Sequence, residues 1–288
     1  MYILLMSHLN NSYLGSLSIF LQSNEAQVSI NESHKIFFLN EIIEPPPNIT
    51  MLIALTSFEM PFSMYNINSG VNDSITFTTS SGSYVVSIGS GNFSATELAT
   101  KITSLLSDTS TTGLGFVITC SYDSGTNRFI FTGSANIQIT ATTMEKELGF
   151  RNNIPSSSTT KLISPNIVNV SGSSSVYVRV NNLGVRNLDS RGKKDGTIAK
   201  VNITCNHNEF IFYQQQESIY YSIMDKSISY LDLELTDELG NDFILNGGEF
   251  SMTITLHFKK NMDNEIDNKY LLRKNLIKFN DEIEEENN

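Results

Sequence analysis

Ser227-Ile228-Ser229-Tyr230-Leu231-Asp232-Leu233-Glu234-Leu235 opens the segment that decides the fold. Side chains alternate across an extended chain, so Leu231, Leu233 and Leu235 share one face and Asp232 and Glu234 the other. That is the pattern of a strand with one buried and one wet side. Ile228 and Tyr230 fall on the acidic face, so the start of the run is either covered on both sides or shifted by a bulge. Thr236-Asp237-Glu238-Leu239-Gly240-Asn241-Asp242 reads as a polar turn, and Asn246-Gly247-Gly248 as a second break. Glu249-Phe250-Ser251-Met252-Thr253-Ile254-Thr255-Leu256-His257-Phe258 then alternates throughout, with Phe250, Met252, Ile254, Leu256 and Phe258 on one side.

The rest of the chain must supply the sheets on which these strands pack. Its 288 residues allow one large β domain or two smaller ones, and 40% hydrophobic content is enough for a core. Only 17% of residues are charged, so polarity comes mainly from Ser, Thr and Asn, as in loop-rich β proteins. A net charge of −11 argues against direct binding to nucleic acid. The one basic cluster, Arg186 with Arg191-Gly192-Lys193-Lys194, is interrupted by Asp189 and reads as a solvated loop. Cys120 and Cys205 lie far apart and suggest a reducing compartment rather than a disulfide framework. The run Met1–Met6 has no basic residues before it and stops at Ser7-His8, so no secretory leader is expected.

Residues 1–23 read as an apolar arm without a period. Ala26 to Asn40 reads as one or two strands, and Glu44-Pro45-Pro46-Pro47 as a rigid connector. Ile49 to Phe58 is too apolar to alternate and reads as a central strand covered on both sides, ended or bent by Pro61. The character changes at Asn68-Ser69-Gly70. A hairpin is expected from Ile75–Thr78 and Tyr84–Ile88. Ser94 and Glu97 form a capping box before the stripe Leu98, Ile102, Leu105, Leu106, which marks a helix. Phe116–Tyr122 and Arg128–Thr132 make a second hairpin, Ile137–Thr140 a separate strand and Met144–Phe150 a helical turn. Arg151 to Ser164 reads as a linker. Strands resume at Ile167–Val170, Val176–Val180 and Ile198–Cys205, and short extended runs follow at Phe210–Tyr213 and Ser218–Ile223.

Together these readings predict a mainly β protein. An antiparallel jelly-roll sandwich is built from 24–70 and 160–260, and 71–159 is an inserted small α+β unit (β-β-α-β-β) with a linker. The N-terminal arm is 1–23, and 261–288 is an amphipathic helix with an acidic tail. About eight strands in two sheets match a jelly roll, while pattern alone leaves another Greek-key sandwich open.

No set of groups for catalysis stands out. His8, His34, His207 and His257 are scattered, and Cys205-Asn206-His207 lacks a second ligand pair to close a metal site. Gly89-Ser90-Gly91 precedes a helix that Ser94 already caps. The Asp237–Asp242 turn lacks the spacing of a calcium loop. His257 lies on the polar face of its strand and reads as a surface residue. No enzymatic activity, cofactor or metal is expected. Phe210, Phe212, Tyr213, Tyr220 and Tyr221 surround Gln214-Gln215-Gln216 and read either as a sugar-stacking or interface patch or as ordinary core beside a polar loop. With Tyr13, Leu14 and Phe20 of the arm, Phe212, Tyr213, Tyr220 and Tyr221 are the candidate subunit-interface residues.

The segment from Ser227 to Gly240, with Asn246–Phe250 and Thr253–Phe258, resembles the closing strands of single jelly-roll capsid proteins. These are the penton and minor capsid proteins of virophages, polinton-like viruses and large DNA viruses of eukaryotes. Gly91-Asn92-Phe93-Ser94-Ala95-Thr96-Glu97-Leu98, Tyr122–Phe129 and Glu147-Leu148-Gly149-Phe150 are similar to insertions in such proteins. The arm and the acidic C-terminal segment have no counterpart. The resemblance implies a structural capsid protein, foremost the pentameric penton subunit at the vertices of an icosahedral, double-stranded DNA virus. It implies partners in copies of itself and in a neighbouring major capsid protein, and a place in the virion after assembly in the host cytoplasm. The inserted unit would face outward, where it could meet a host receptor. The alternatives are a trimeric minor capsid (cement) protein and a carbohydrate- or receptor-binding β-sandwich module.

Overall fold

The computed structural model describes residues 13–80, 82–107, 117–151, 154–185, 187, 196–216, 219–225 and 227–260. The expected C-terminal helix, the basic cluster around Arg191 and the first twelve residues of the arm lie outside them. The chain divides into two compact units, one from residues before 64 and after 174, the other 64–174.

Ten strands of the first unit form two antiparallel sheets. In the first sheet β1 (Tyr13–Gln22), β15 (Ser251–Lys260), β4 (Ile49–Pro61) and β12 (Phe210–Gln214) are neighbours in that order, and the short β13 (Tyr221–Ser222) also pairs with β4. In the second the order is β11 (Thr197–Asn202), β10 (Ser175–Val180), β14 (Ile228–Thr236), β3 (His34–Ile43) and the short β2 (Val28–Ser29). With β2 and β13 set aside, eight strands remain and pair as a ribbon doubled back on itself. The first pairs with the last (β1 with β15), the second with the seventh (β3 with β14), the third with the sixth (β4 with β12) and the fourth with the fifth (β10 with β11). Wrapping that ribbon into two facing sheets is the jelly roll. The protein is therefore mainly β, an antiparallel jelly roll with a smaller α+β unit inserted between β4 and β10.

The opening segment behaves as its alternation requires. Leu231, Leu233 and Leu235 are fully buried, as are Ile254 and Leu256 of β15 and Ile53 of β4. Each such side chain contributes about 1.5–3 kcal/mol relative to an exposed one. Ile228 is buried while Tyr230 is exposed, and the register against β3 shifts between them. The irregularity at the start of β14 is thus a bulge. Gly240 takes φ +87 in the following turn, where Asp237 Oδ1 accepts from the amides of Leu239 and Asn241, each at 2.8 Å. β4 is central, flanked by β15 and β12, and ends at Pro61.

Tyr13–Gln22, expected to be part of an arm, is instead an edge strand of the roll. Leu17, Ile19 and Leu21 pair across from Leu256, Ile254 and Met252, so they share the core side of the sheet with them. The alternating Ser16, Ser18 and Gln22 take the other side. Phe20 breaks the expected polar series on that outer side and is 79% exposed.

The 64–174 unit has its own core, around Phe77, Phe129, Phe131, Leu98 and Ile102. Its sheet runs β6 (Gly82–Ser87), β5 (Ser74–Thr79), β8 (Arg128–Thr142), β7 (Ile118–Asp123), with β9 (Thr159–Ile163) also on β8. Helix α1 (Ala95–Ser107) starts at the expected capping box: the Ser94 amide donates to Glu97 Oε2 at 2.8 Å and the Glu97 amide to Ser94 Oγ at 3.3 Å. The turn α2 (Glu145–Leu148) ends at Gly149 in the left-handed region.

Three boundaries differ from the sequence reading. Arg128–Thr132 and Ile137–Thr140 are parts of one 15-residue strand, with the β9 register shifting between Thr132 and Ile137. Part of the expected linker is β9. Ile167–Val170, expected as a strand of the roll, is irregular: Val168 and Val170 pack on the core of this unit, and the Val168 and Asn169 amides bond to the carbonyls of Asn127 in a turn and Lys146 in α2. Asn66 ties the two ends of the unit together. Its Nδ2 donates to the carbonyls of Phe93 at 2.7 Å and Val170 at 2.6 Å, and its Oδ1 accepts from the Phe93 amide at 3.0 Å.

A separately expressed 64–174 fragment is expected to fold, with dispersed amide resonances and a cooperative thermal transition; a collapsed spectrum would show that its core depends on the roll. Within this unit Asp73 is buried and accepts from the Ser87 hydroxyl and the Gly70 amide. The Ser87 bond outweighs burial and, with the amides of Gly70 and Gly89, holds the carboxyl below the usual aspartate range. Asp73→Asn is therefore expected to lower the melting temperature at pH 7. The wild-type advantage is present above the unfolded-state value, about pH 4. It fades as pH falls through the lower folded-state value, so the two melting curves converge in acid. A gap that persists unchanged in acid would remove the ionised carboxylate from the account.

Candidate subunit-interface site

The outer face of the first sheet is built from alternate residues of four strands. Its floor is hydroxyl-rich. Thr56 and Thr255 meet through their Oγ1 atoms at 2.6 Å, Ser57 Oγ donates to Thr253 Oγ1 at 2.9 Å, and Ser18 and Thr255 hydroxyls lie 3.4 Å apart. These bonds satisfy the hydroxyls across strands and leave the floor flat and small-featured.

Two phenylalanines rise from this floor. Phe20 stands on β1 and Phe212, 64% exposed, on β12, the opposite edge strand. The register places Phe20 in the row of Thr253 and Ser57, and Phe212 in the adjacent row of Glu59, Ser251 and Gln22. With Ser57, Glu59 and Thr253 they line a shallow groove across the sheet. Phe210, 61% exposed, extends the aromatic edge along β12; Leu14 and Leu17 are also exposed on β1, Leu17 on the core side of that edge strand.

The remaining candidates divide. Tyr13 belongs to β1, where it pairs with Lys259. Tyr213 and Tyr221 pair with Phe58 and Ile53, both core residues, so they are half-buried on the inner side and withdrawn from the outer patch. Burial raises the Tyr213 phenol, and Tyr221 adds to the shift. Tyr220 lies over His257, ring centroids 4.2 Å apart. His257 is thus not the plain surface residue its alternation suggests: it is half-buried, and burial lowers its affinity for a proton. Tyr220 covers polar floor, and of the expected aromatic patch only Phe212 and Phe210 project fully.

Sequence reasoning missed a patch on the second sheet. Phe38 and Tyr230 pair across β3 and β14 with ring centroids 6.1 Å apart, and Phe38 is 55% exposed. Two rows along, His34 Nε2 lies 2.6 Å from Asp232 Oδ1. The signal was present, since Tyr230 shares the acidic face of its strand, but its partner on β3 could be found only from the register.

The groups considered for chemistry sit apart. Cys120 is buried, which raises its thiol well above the usual range. His207 packs edgewise on Phe62, and Glu209 accepts from the Asn206 amide at 2.7 Å. Among the described residues no three His, Cys, Asp or Glu side chains gather as metal ligands.

No protein-family profile matches the sequence, and no curated protein matches it. Among solved structures the chain is similar to the selenomethionine-labelled penton protein of mavirus, at 13% identity and a TM-score of 0.44, over 84% of this chain and 98% of that one.

Proposed function

We propose that this protein is a structural, non-enzymatic capsid subunit of an icosahedral double-stranded DNA virus, with the pentameric penton as its form. The observation that supports this reading is the pair of unlike apolar edges on one sheet of a jelly roll. Leu14, Leu17 and Phe20 mark the β1 edge, and Phe210 and Phe212 the β12 edge. An open sheet edge with exposed apolar side chains is a pairing surface that monomeric proteins usually blunt. Two different patches at opposite edges suit head-to-tail joints, and such joints close into rings. The partners are copies of the same chain and a neighbouring major capsid protein, without nucleic acid. The setting is a virion assembled in host cytoplasm.

A second reading has its own support. Phe20 and Phe212 flank Glu59 and a hydroxyl floor, and aromatic walls over polar groups also suit a carbohydrate-binding module. A trimeric minor capsid protein uses the same edges with a different closure.

Light scattering on the purified full chain is expected to give a mass near five subunits. Three subunits would move the reading to the cement protein, and a monomer that binds neutral sugars would favour the module. Phe20→Asp and Phe212→Asp are each expected to yield monomers with little change in melting temperature. Mixed together, they should form dimers and nothing larger, because only one sound joint remains between an intact β1 edge and an intact β12 edge. Mixed variants that stay monomeric, or single variants that still form rings, would rule out the edge-to-edge joint.

A further inference from the structure

We propose that residues 2–6 of one copy pair, as an added strand, with the open edge of β12 of the next copy. The inference deepens the reading of the chain as a self-assembling capsid subunit and rests on it.

The edge is built to accept a strand. β12 ends the first sheet and pairs with β4 on one side only. The Gln215 amide donates to Thr56 O at 2.9 Å, so the alternation of an antiparallel ladder turns the amides and carbonyls of Tyr213 and Ile211 toward β4. Those of Phe210 and Phe212 point to the open side. Natural edge strands carry charges or proline against unwanted pairing. Phe210-Ile211-Phe212-Tyr213-Gln214 carries neither, and both phenylalanines are more than half exposed.

The occupant follows from the two faces of that edge. One face of an added strand continues the row of Phe210 and Phe212, and the other lies beside the buried Ile211 and half-buried Tyr213. Both call for apolar side chains without charge. Tyr2-Ile3-Leu4-Leu5-Met6 is apolar at every position, the pattern of a strand covered on both sides, and matches the five residues of β12 in length. Centred pairing sets Leu4 opposite Phe212 whichever way the strand runs, with Ile3 and Leu5 on the side of Ile211.

Reach decides which copy receives it. Tyr13 pairs with Lys259, while Gln214 and Thr253 both pair with Ser57. From Lys259 back to Thr253 is about 20 Å along the sheet, and a strand outside β12 lies about 19 Å across it from β1. The diagonal to the near end of β12 is about 28 Å. The chain from Met6 to Tyr13 spans at most about 24 Å when fully extended. Residues 2–6 therefore fall short of the β12 edge of their own copy. In the proposed head-to-tail joint the β12 edge of the next copy faces β1, and Asn10-Asn11-Ser12 supply turn-forming residues between β1 and the apolar run.

The test uses the full chain with Leu4 replaced by the photo-reactive p-benzoylphenylalanine, assembled from equal parts of 14N- and 15N-labelled protein. After irradiation, mass spectrometry is expected to find residue 4 joined to 210–214 in peptides that mix the two labels, the mark of a bond between copies. Bonds to 210–214 in unmixed peptides only, or bonds to other segments only, would overturn the proposal. Leu4→Asp in the otherwise natural chain should raise the concentration at which half the chains assemble by at least about tenfold, the loss expected for one buried leucine. Circular dichroism reports its fold, and unchanged assembly would also overturn the strand. Light scattering on the irradiated sample separates the two levels: rings without the mixed bond remove the strand and leave the capsid reading, whereas monomers without it remove both.

Discussion

The roll can close only when β1 finds β15, and every other pairing of the sandwich follows from that doubling of the ribbon. The two strands are held by Leu17 against Leu256, Ile19 against Ile254 and Leu21 against Met252. The hydroxyls of Ser18 and Thr255, 237 residues apart in sequence, meet on the opposite side. β15 also pairs with β4 over ten residues, so it is the strand through which the two ends of the roll and its middle are joined. Closing so long a loop costs entropy before any contact rewards it. Chains dominated by such contacts fold slowly. The strong alternation of Phe250 to Leu256 is the physical answer: it fixes which face is buried, and a slip of one residue would turn the whole apolar set outward.

The inserted unit enters between β4 and β10, where it leaves all four ribbon pairs intact. It has a core of its own and needs no residue of the roll to complete its sheet. Asn66 holds the incoming chain to Phe93 and Val170, so the entry and the exit of the unit are fixed by the same side chain. A unit that seals its own ends can be carried by one loop of a sandwich without straining it, because the entropic cost of a long loop grows slowly and is offset by the unit's own folding.

Much of this architecture was legible in the residues. The alternation of Leu231, Leu233 and Leu235 gave the core face of β14, and Ser94 with Glu97 gave the first turn of α1. Both are local signals that packing reinforces. The failures share a cause in tertiary context. Ile167–Val170 has the composition of a short strand, yet its amides find carbonyls of a turn and of α2 instead of a ladder, a choice no four-residue pattern encodes. Whether Tyr213 and Tyr221 were patch or core stayed open in the residues, because their side of the sheet depends on the register of β12 and β13 with β4.

Phe20 links the missed strand to the interface reading. Leu17, Ile19 and Leu21 alternate with Ser16, Ser18 and Gln22, and that pattern alone marks a half-buried strand. Phe20 sits where a polar residue belongs, which made the period vanish to the eye. The same residue is 79% exposed at the edge of the finished sheet. A fully exposed phenylalanine leaves apolar area in water that burial would recover at about 25 cal/mol per Å2. Phe212 departs in the same way at the far edge, next to the buried Ile211. Each residue violates the alternation of its strand on the solvent side, and neither is needed by the core, whose inner faces are complete without them. Departures of this kind cluster where a surface serves something other than its own fold. Two of them stand at opposite edges of a single sheet, and the proposed head-to-tail joint rests on that pair.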